Sequence, residues 1–116
     1  MQVIRNGNVL IDGQLKKVDV LFDEREILDI REKIECDCPE VDASGCVVLP
    51  GFVDVHVHLR EPGFTKKETI YTGTKAAAHG GFTSIFCMPN VIPYPDNVKT
   101  MEDYLKLIEE QSVVHT

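Results

Sequence analysis

Two strand-and-helix repeats follow one another from Gly51 to Thr116, and their order restricts the folds that the chain can adopt. The strand-like run FVDVHVHL comes before a helix-like run that ends at Gly80-Gly81, and FTSIFCM comes before VKTMEDYLKLIEEQ. Strands about 30 residues apart with helices between them predict βαβ units and a parallel sheet. The final VVH predicts the start of a third strand.

Local patterns predict where the two helices begin and end. Thr65 and Glu68 fit a capping box, which predicts that the first helix begins there. Asp96 or Asn97 is expected to cap the second helix. His79 falls at the end of the first helix, where its partial charge complements the helix dipole, so we expect a structural role for it.

The first 49 residues have a different character, with short strand-like runs separated by turns. Asn6-Gly7 and Asp12-Gly13 carry turn chemistry, and apolar residues alternate in KVDVLF. The sequence therefore predicts a small antiparallel, β-sandwich-like domain over residues 1–49, without a catalytic constellation of its own. The α/β part begins at residue 50 and runs to residue 116.

Two βα units cannot close a barrel, since a complete (β/α)₈ barrel takes about 250 residues. With 116 residues, the chain is expected to be the beginning of a larger structure. Either it is a fragment, or the missing elements come from another copy or another chain.

Composition narrows the functional classes. Apolar residues make up 43% and charged residues 27%, which is typical of a globular protein. The 12 basic residues are scattered among 19 acidic ones for a net charge of −7, which argues against a nucleic-acid partner. No apolar run approaches the roughly 18 residues of a membrane helix, and the N-terminus lacks the apolar core of a signal peptide. We expect a cytoplasmic location.

The four cysteines are expected to be reduced thiols. Cys36 and Cys38 are separated by one residue, which is not the spacing of a zinc knuckle, and no second pair follows.

The stretch PGFVDVHVHLREPG, residues 50–63, places polar residues at every second position of a strand. Because side chains at i and i+2 face the same way, Asp54, His56, His58 and Arg60 are expected on one face. Two neighbouring imidazoles are ligands that zinc prefers. Alternatively, they are ordinary histidines on a solvated strand face.

Arg60 and Asn90 follow the first and second predicted strands on the side where parallel α/β folds place their sites. A guanidinium group suits a carboxylate ligand, and the Asn90 amide could bind the same ligand. Alternatively, Arg60 forms a surface ion pair with Glu61 or Glu68, and Asn90 is a turn residue beside Pro89.

PGFVDVHVHLREPG, KETIYTGTKAAAHGGFTSIFCMPN and the β-rich start together resemble dihydroorotases of the amidohydrolase superfamily. The resemblance implies the N-terminal part of a (β/α)₈ TIM barrel, comprising its first two βα units and the start of the third strand. It implies that His56 and His58 are ligands of one or two Zn²⁺ ions, and that Arg60 and Asn90 bind dihydroorotate. The general-base Asp would lie beyond residue 116, and Val91 stands where a Thr is usual.

The implied function is that of a zinc-dependent dihydroorotase, which interconverts dihydroorotate and N-carbamoyl-L-aspartate in pyrimidine biosynthesis. On this basis the 116-residue chain alone is expected to be inactive. Two alternatives remain: a non-catalytic amidohydrolase-like assembly partner, and another cyclic amidase of the allantoinase or hydantoinase type. The expected partners are the small-molecule substrate and, in a homo-oligomer, further copies of the chain; neither nucleic acid nor a membrane is expected.

Overall fold

A computed structural model describes every residue from Met1 to Thr116. The chain divides into two compact units, Met1–Pro50 and Gly51–Thr116, which are described separately below. Neither of its two helices has the length and apolar character needed to span a bilayer.

Seven strands make up the first unit and form two sheets. They are β1 (Gln2–Arg5), β2 (Asn8–Ile11), β3 (Gln14–Lys17), β4 (Asp19–Phe22), β5 (Ile27–Arg31), β6 (Glu40–Asp42) and β7 (Val47–Val48). One sheet has the strand order β5-β4-β1-β6, and the other has the order β3-β2-β7. The predicted hairpin at Asp12-Gly13 is confirmed, because it joins the antiparallel strands β2 and β3 with positive φ angles at both residues.

The prediction of an antiparallel unit is wrong for two of its strand pairings, because β1 pairs with β6 and β2 pairs with β7 in parallel. Asn6 adopts a φ of 64° between β1 and β2, and these two strands lie in different sheets. Gly7 allows this crossing, since a Cβ there would lie 2.5 Å from Val48 Cγ2. The Asn6-Gly7 pair therefore moves the chain between sheets instead of closing a hairpin.

An ion-pair network centred on Arg5 connects the strands of the first sheet. Arg5 Nη1 lies 2.6 Å from Asp19 Oδ2 and donates to the carbonyl of Ile34 at 2.8 Å, while its Nε lies 2.6 Å from Glu40 Oε1. The hydrogen bond with Glu40 is the main reason that the pKa of Arg5 is raised. Asp19, which is buried, also accepts from the backbone N–H of Ile34.

Cys36 and Cys38 form a disulfide, so the prediction of reduced thiols is wrong for this pair. Their Cα atoms are 5.4 Å apart, within the range that a disulfide spans. Cys46 and Cys87 are free thiols.

The second unit contains β8 (Phe52–Val57), α1 (Ile70–His79), β9 (Phe82–Cys87) and α2 (Val98–Gln111). β8 and β9 are parallel neighbours, as the βαβ pattern predicted. His115 forms a parallel bridge with Ser84, and its backbone exchanges hydrogen bonds with Thr83 and Ile85. The VVH run thus lies beside β9, as expected for a third strand.

One apolar core holds the second unit together. Its buried members are Leu59, Ile70, Ile85, Val91, Tyr104 and Ile108. The Tyr104 hydroxyl lies 3.4 Å from Cys87 Sγ. Burial is the main reason that the pKa of Tyr104 is raised. Val55, in β8, lies outside this core and is 68% exposed in this chain.

The first helix begins at Ile70 and not at Thr65. Thr69 is the N-cap and forms a reciprocal capping box with Thr72. Residues 65–67 form a turn, and the backbone N–H of Lys67 donates to the carbonyl of Phe64. The local TKKE pattern fits a capping box, but its first three residues form a turn in the loop before the helix. Asn97 caps α2, as one of the two predicted candidates.

Val91→Thr is expected to destabilise the second unit, because the Val91 side chain is 2% exposed within the apolar core. A hydroxyl at this position loses its hydration without a partner, which should lower the free energy of unfolding by about 1–2 kcal/mol. Urea unfolding measures the change. Val98→Thr is the matched control, because Val98 is 75% exposed; a similar loss in both variants would contradict the assignment of Val91 to the core.

Candidate functional site

The candidate site lies at the carboxyl ends of β8 and β9, where two neighbouring parallel strands deliver their last residues. His56 and His58 come from β8 and the position just after it, and Asn90 follows β9. The Met88 backbone N–H donates to the carbonyl of Val57 at 2.7 Å, so the strands remain connected up to this edge. This is the side of a parallel α/β sheet on which ligands bind.

β8 contains a bulge in the segment that includes His56. Asp54 is opposite Ile85 and Val57 is opposite Cys87, so β8 has one more residue than β9 between these pairs. The backbone N–H of His56 lies in this irregular segment and donates to Asp54 Oδ1 at 3.0 Å. The carboxylate thus satisfies a backbone donor, and we assign Asp54 this structural role. The alternation of polar residues in the sequence, which predicted a polar face, did not reveal this bulge.

The two histidines face each other through the same ring nitrogen. His56 Nε2 and His58 Nε2 are 3.2 Å apart, both side chains are exposed, and the ring centroids are separated by 5.1 Å. Two imidazole nitrogens bound to one tetrahedral zinc ion at about 2.05 Å would be about 3.3 Å apart. The spacing therefore fits a shared ion. No group of three or more His, Cys, Asp or Glu side chains in the chain is placed to hold a metal ion, so this site offers the two imidazoles alone.

Asn90 contacts the second histidine directly. Its Oδ1 lies 2.9 Å from His58 Nδ1. Since an amide oxygen only accepts hydrogen bonds, Nδ1 carries the proton in this contact. Asn90 is therefore more than a turn residue in this structure, and the contact spans 32 positions of sequence.

Arg60 is half-buried and forms no ion pair with any carboxylate of the chain. The alternative of an ion pair with Glu61 or Glu68 is thus wrong for this structure. Glu61 instead accepts from the backbone N–H of Ile70 at 2.9 Å, which caps the start of α1. The guanidinium group is left without a carboxylate partner from its own chain.

The loops that follow β8 and β9 are joined to each other by a contact that the sequence did not predict. The backbone N–H of Ile92 donates to the carbonyl of Pro62 at 3.1 Å. Gly63 has a φ of 94°, and a Cβ there would lie 2.7 Å from Ile92 Cβ and 2.8 Å from its carbonyl oxygen. The Pro62-Gly63 pair signals only a turn in the sequence, whereas in the structure it is where the two loops touch.

Val91 stands where a Thr is usual in the family that the sequence resembles. In the structure, its side chain is 2% exposed and belongs to the apolar core. The departure from the usual Thr therefore concerns core packing in this chain.

A groove of about 690 Å³ in the second unit is a different surface. Its lining includes Ile85, Met101, Tyr104 and Leu105 and contains no Asp, Glu, Lys or Arg side chain. None of the candidate site residues lines it. The lining therefore offers no Lys or Arg side chain to an anionic ligand.

Comparison with known sequences gives a consistent family assignment. A family described as Dihydro-orotase-like matches residues 45–116. A dihydroorotase from Staphylococcus aureus is 52% identical over 116 residues, which cover 98% of this chain and 27% of that protein. A dihydroorotase from Staphylococcus epidermidis is 47% identical over 117 residues, covering 98% of this chain and 28% of that protein. The chain thus spans about a quarter of the length of these relatives.

Solved structures share the fold of this chain. An L-hydantoinase (dihydropyrimidinase) from Arthrobacter aurescens matches with a TM-score of 0.83 and 24% identity, covering 97% of this chain and 26% of that one. A D-hydantoinase from Bacillus sp. AR9 matches with a TM-score of 0.80 and 28% identity, covering 98% of this chain and 25% of that one. The architecture is therefore mixed α/β.

Removing either facing imidazole is expected to weaken zinc binding by the 116-residue chain. Each of His56→Ala and His58→Ala removes one of two ligands, and we expect at least the roughly 10-fold loss that follows from removing a group next to a metal ligand. Competition with a chromogenic chelator measures the affinity. His79→Ala is the matched control, because His79 is exposed at the end of α1. Equal affinity in all three variants would rule out a site between His56 and His58.

Proposed function

Because this chain belongs to the dihydro-orotase-like family, we propose that it forms the N-terminal quarter of a zinc-dependent dihydroorotase. The 52% identity to a dihydroorotase along 98% of the chain supports this substrate over that of a hydantoinase. The complete protein would interconvert dihydroorotate and N-carbamoyl-L-aspartate in pyrimidine biosynthesis. We place it in the cytoplasm, with this small molecule as its ligand and with homo-oligomers as a compatible assembly.

The second unit would supply the first two βα units of a (β/α)₈ barrel and the start of its third strand. The parallel pairing of β8 with β9 and the bridge from His115 to Ser84 support this proposal, since barrel strands are all parallel. Residues 1–49 would form a separate small β-rich domain.

His56 and His58 would hold the zinc through their Nε2 atoms, and their 3.2 Å separation is the observation that carries the proposal. Zinc in such a site acts as a Lewis acid that polarises a carbonyl group and acidifies water. Two histidines fill half of a tetrahedral shell, so the remaining ligands would come from other parts of the complete protein.

Arg60 and Asn90 would bind the carboxylate of dihydroorotate. Arg60 has no carboxylate partner within the chain, and a guanidinium group can form two parallel hydrogen bonds with one. Binding the carboxylate at the strand ends would orient the ring and place its reacting amide next to the histidines.

The reaction itself is the hydrolysis of a ring amide and its reverse. A water oxygen bonds to the ring carbonyl carbon, the bond from this carbon to the ring nitrogen breaks, and the nitrogen takes up a proton. The group that moves this proton would be an Asp beyond residue 116, while the residues of this chain bind and orient.

We expect the product of the whole reading frame, purified with zinc, to cyclise N-carbamoyl-L-aspartate and to hydrolyse dihydroorotate. The 116-residue chain alone should do neither, because it offers two imidazoles and no third metal-binding side chain beside them. Absorbance of the dihydroorotate ring follows both directions. Turnover by the 116-residue chain would refute the proposal that this chain binds and orients while a residue beyond it transfers the proton. A complete protein that binds no zinc and is inactive would instead favour the alternative of a non-catalytic assembly partner.

Arg60→Ala in the complete protein is expected to raise KM for dihydroorotate by about 10- to 100-fold, the range for a lost hydrogen bond to a charged group. Hydrolysis of hydantoin, which has no carboxylate, should not change. Steady-state kinetics on both substrates tests this. Arg31→Ala is the matched control, because Arg31 pairs with Asp29 in the first unit. If dihydroorotate turnover is indifferent to Arg60→Ala, another cyclic amidase activity becomes the better assignment.

A further inference from the structure

We propose that Asn90 serves the metal and the substrate at the same time, through opposite ends of one amide. Its Oδ1, 2.9 Å from His58 Nδ1, fixes the tautomer of His58, and its NH₂ group donates to the substrate carboxylate. The substrate half of this inference rests on the proposed function. The half that concerns His58 rests on the contact itself.

The tautomer argument starts from the chemistry of a neutral imidazole, which carries one proton on either of its two nitrogens. Because Asn90 Oδ1 accepts from Nδ1, the proton of His58 is on Nδ1 and the lone pair is on Nε2. That lone pair faces His56 Nε2, which is 3.2 Å away. His58 is therefore ready to bind a metal before any metal arrives.

His56 differs from His58 in this respect. Two nitrogen lone pairs at 3.2 Å would repel each other. In the metal-free chain, His56 must therefore carry its proton on Nε2, from which it donates a hydrogen bond to His58 Nε2. Metal binding then requires His56 to move its proton to Nδ1, whereas His58 keeps its tautomer. The two ligands, which look alike in the sequence HVH, are thus unequal in the structure.

Asn90 can hold an imidazole because its own backbone is fixed on both sides. On the N-terminal side, Met88 lies two residues before Asn90, and its backbone N–H donates to the carbonyl of Val57. On the C-terminal side, the next residue, Val91, is buried. Ile92 is bonded to Pro62 in the neighbouring loop. The backbone of Asn90 is therefore restricted to few conformations.

The opposite ends of the amide explain how one residue can serve two ligands. The side-chain hydrogen bond of Asn90 within the chain uses its oxygen, so its NH₂ group keeps both donors for an outside acceptor. A carboxylate is an acceptor only. Substrate and His58 therefore do not compete for the same atom, and each favours the same orientation of the amide.

Two substitutions separate the two roles. Asn90→Asp keeps an oxygen that can accept from His58 Nδ1 but replaces the donor by a negative charge. Asn90→Ala removes both ends. Asn97→Asp is the matched control, because an Asp at this position retains the cap of α2 and adds the same charge.

The role toward the metal is tested on the 116-residue chain without any activity assay. Long-range ¹⁵N NMR should find the proton of His58 on Nδ1 and that of His56 on Nε2. Asn90→Ala should lose this preference in His58 and bind zinc about 10- to 100-fold more weakly, as for other groups that orient metal ligands. Asn90→Asp and Asn97→Asp should keep both the tautomer and the affinity.

The proposal is overturned if His58 carries its proton on Nε2 in the parent chain, or if Asn90→Ala binds zinc as tightly as the parent. Loss of zinc in Asn90→Asp as well as Asn90→Ala would also overturn it, since the carboxylate retains the acceptor. Backbone amide spectra of each variant verify that the second unit is folded. These results do not depend on which reaction the complete protein catalyses.

The substrate half is tested by kinetics on the complete protein. Asn90→Asp should keep its zinc but raise KM for dihydroorotate by about 10- to 100-fold, because a donor to a charged group is lost and a like charge is added. An unchanged KM would remove the substrate role and leave the metal role standing. If the complete protein has no dihydroorotase activity, the proposed function fails while the tautomer and zinc results still decide the first half.

Discussion

The parallel pairing of β8 with β9 is the constraint on which the candidate site depends. Parallel neighbours end at the same edge of a sheet, so the residues that follow Val57 and those that follow Cys87 must meet. His58 and Asn90 are 32 positions apart in sequence and within hydrogen-bonding distance for this reason. An antiparallel pairing of the same two strands would have placed them at opposite ends.

Three of the four candidate residues of the site, His58, Arg60 and Asn90, are each next to a residue that is buried in the core. Leu59, which is fully buried, lies between His58 and Arg60, and Val91 follows Asn90. The buried apolar side chains hold the backbone in place, so the Cα atoms of the neighbouring polar residues have defined positions. Site geometry and core packing are therefore determined by the same few residues, which is how a rigid scaffold preorganises a ligand site.

Regular patterns in the sequence were enough to predict the second unit in outline. Alternation in FVDVHVHL and the near-continuous apolar run FTSIFCM indicated two neighbouring parallel strands, and the structure contains them. The facing histidines follow from the same alternation. Competition among local signals misled the prediction elsewhere: Thr65 and Glu68 fit a capping box as well as Thr69 and Thr72 do, and only the preceding loop and the Glu61 carboxylate select Ile70 as the first helical residue.

Features that depend on distant contacts could not be predicted from the sequence. The parallel pairings of β6 and β7 in the first unit depend on which sheet each strand joins, and a local turn such as Asn6-Gly7 does not specify this. The bulge that contains His56 depends on the register with β9. The tautomer of His58 depends on a partner from another strand, so the motif HVH alone carries no information about it.

The contact between Gly63 and Ile92 has a consequence for motion at this edge of the sheet. Because the backbones of the two loops touch there and share a hydrogen bond, neither loop can swing open without moving the other. Neither can therefore serve alone as a lid over a ligand. Entry and exit at this edge must use either a joint displacement of both loops or a path that leaves them closed, and the kinetics of ligand exchange would differ accordingly.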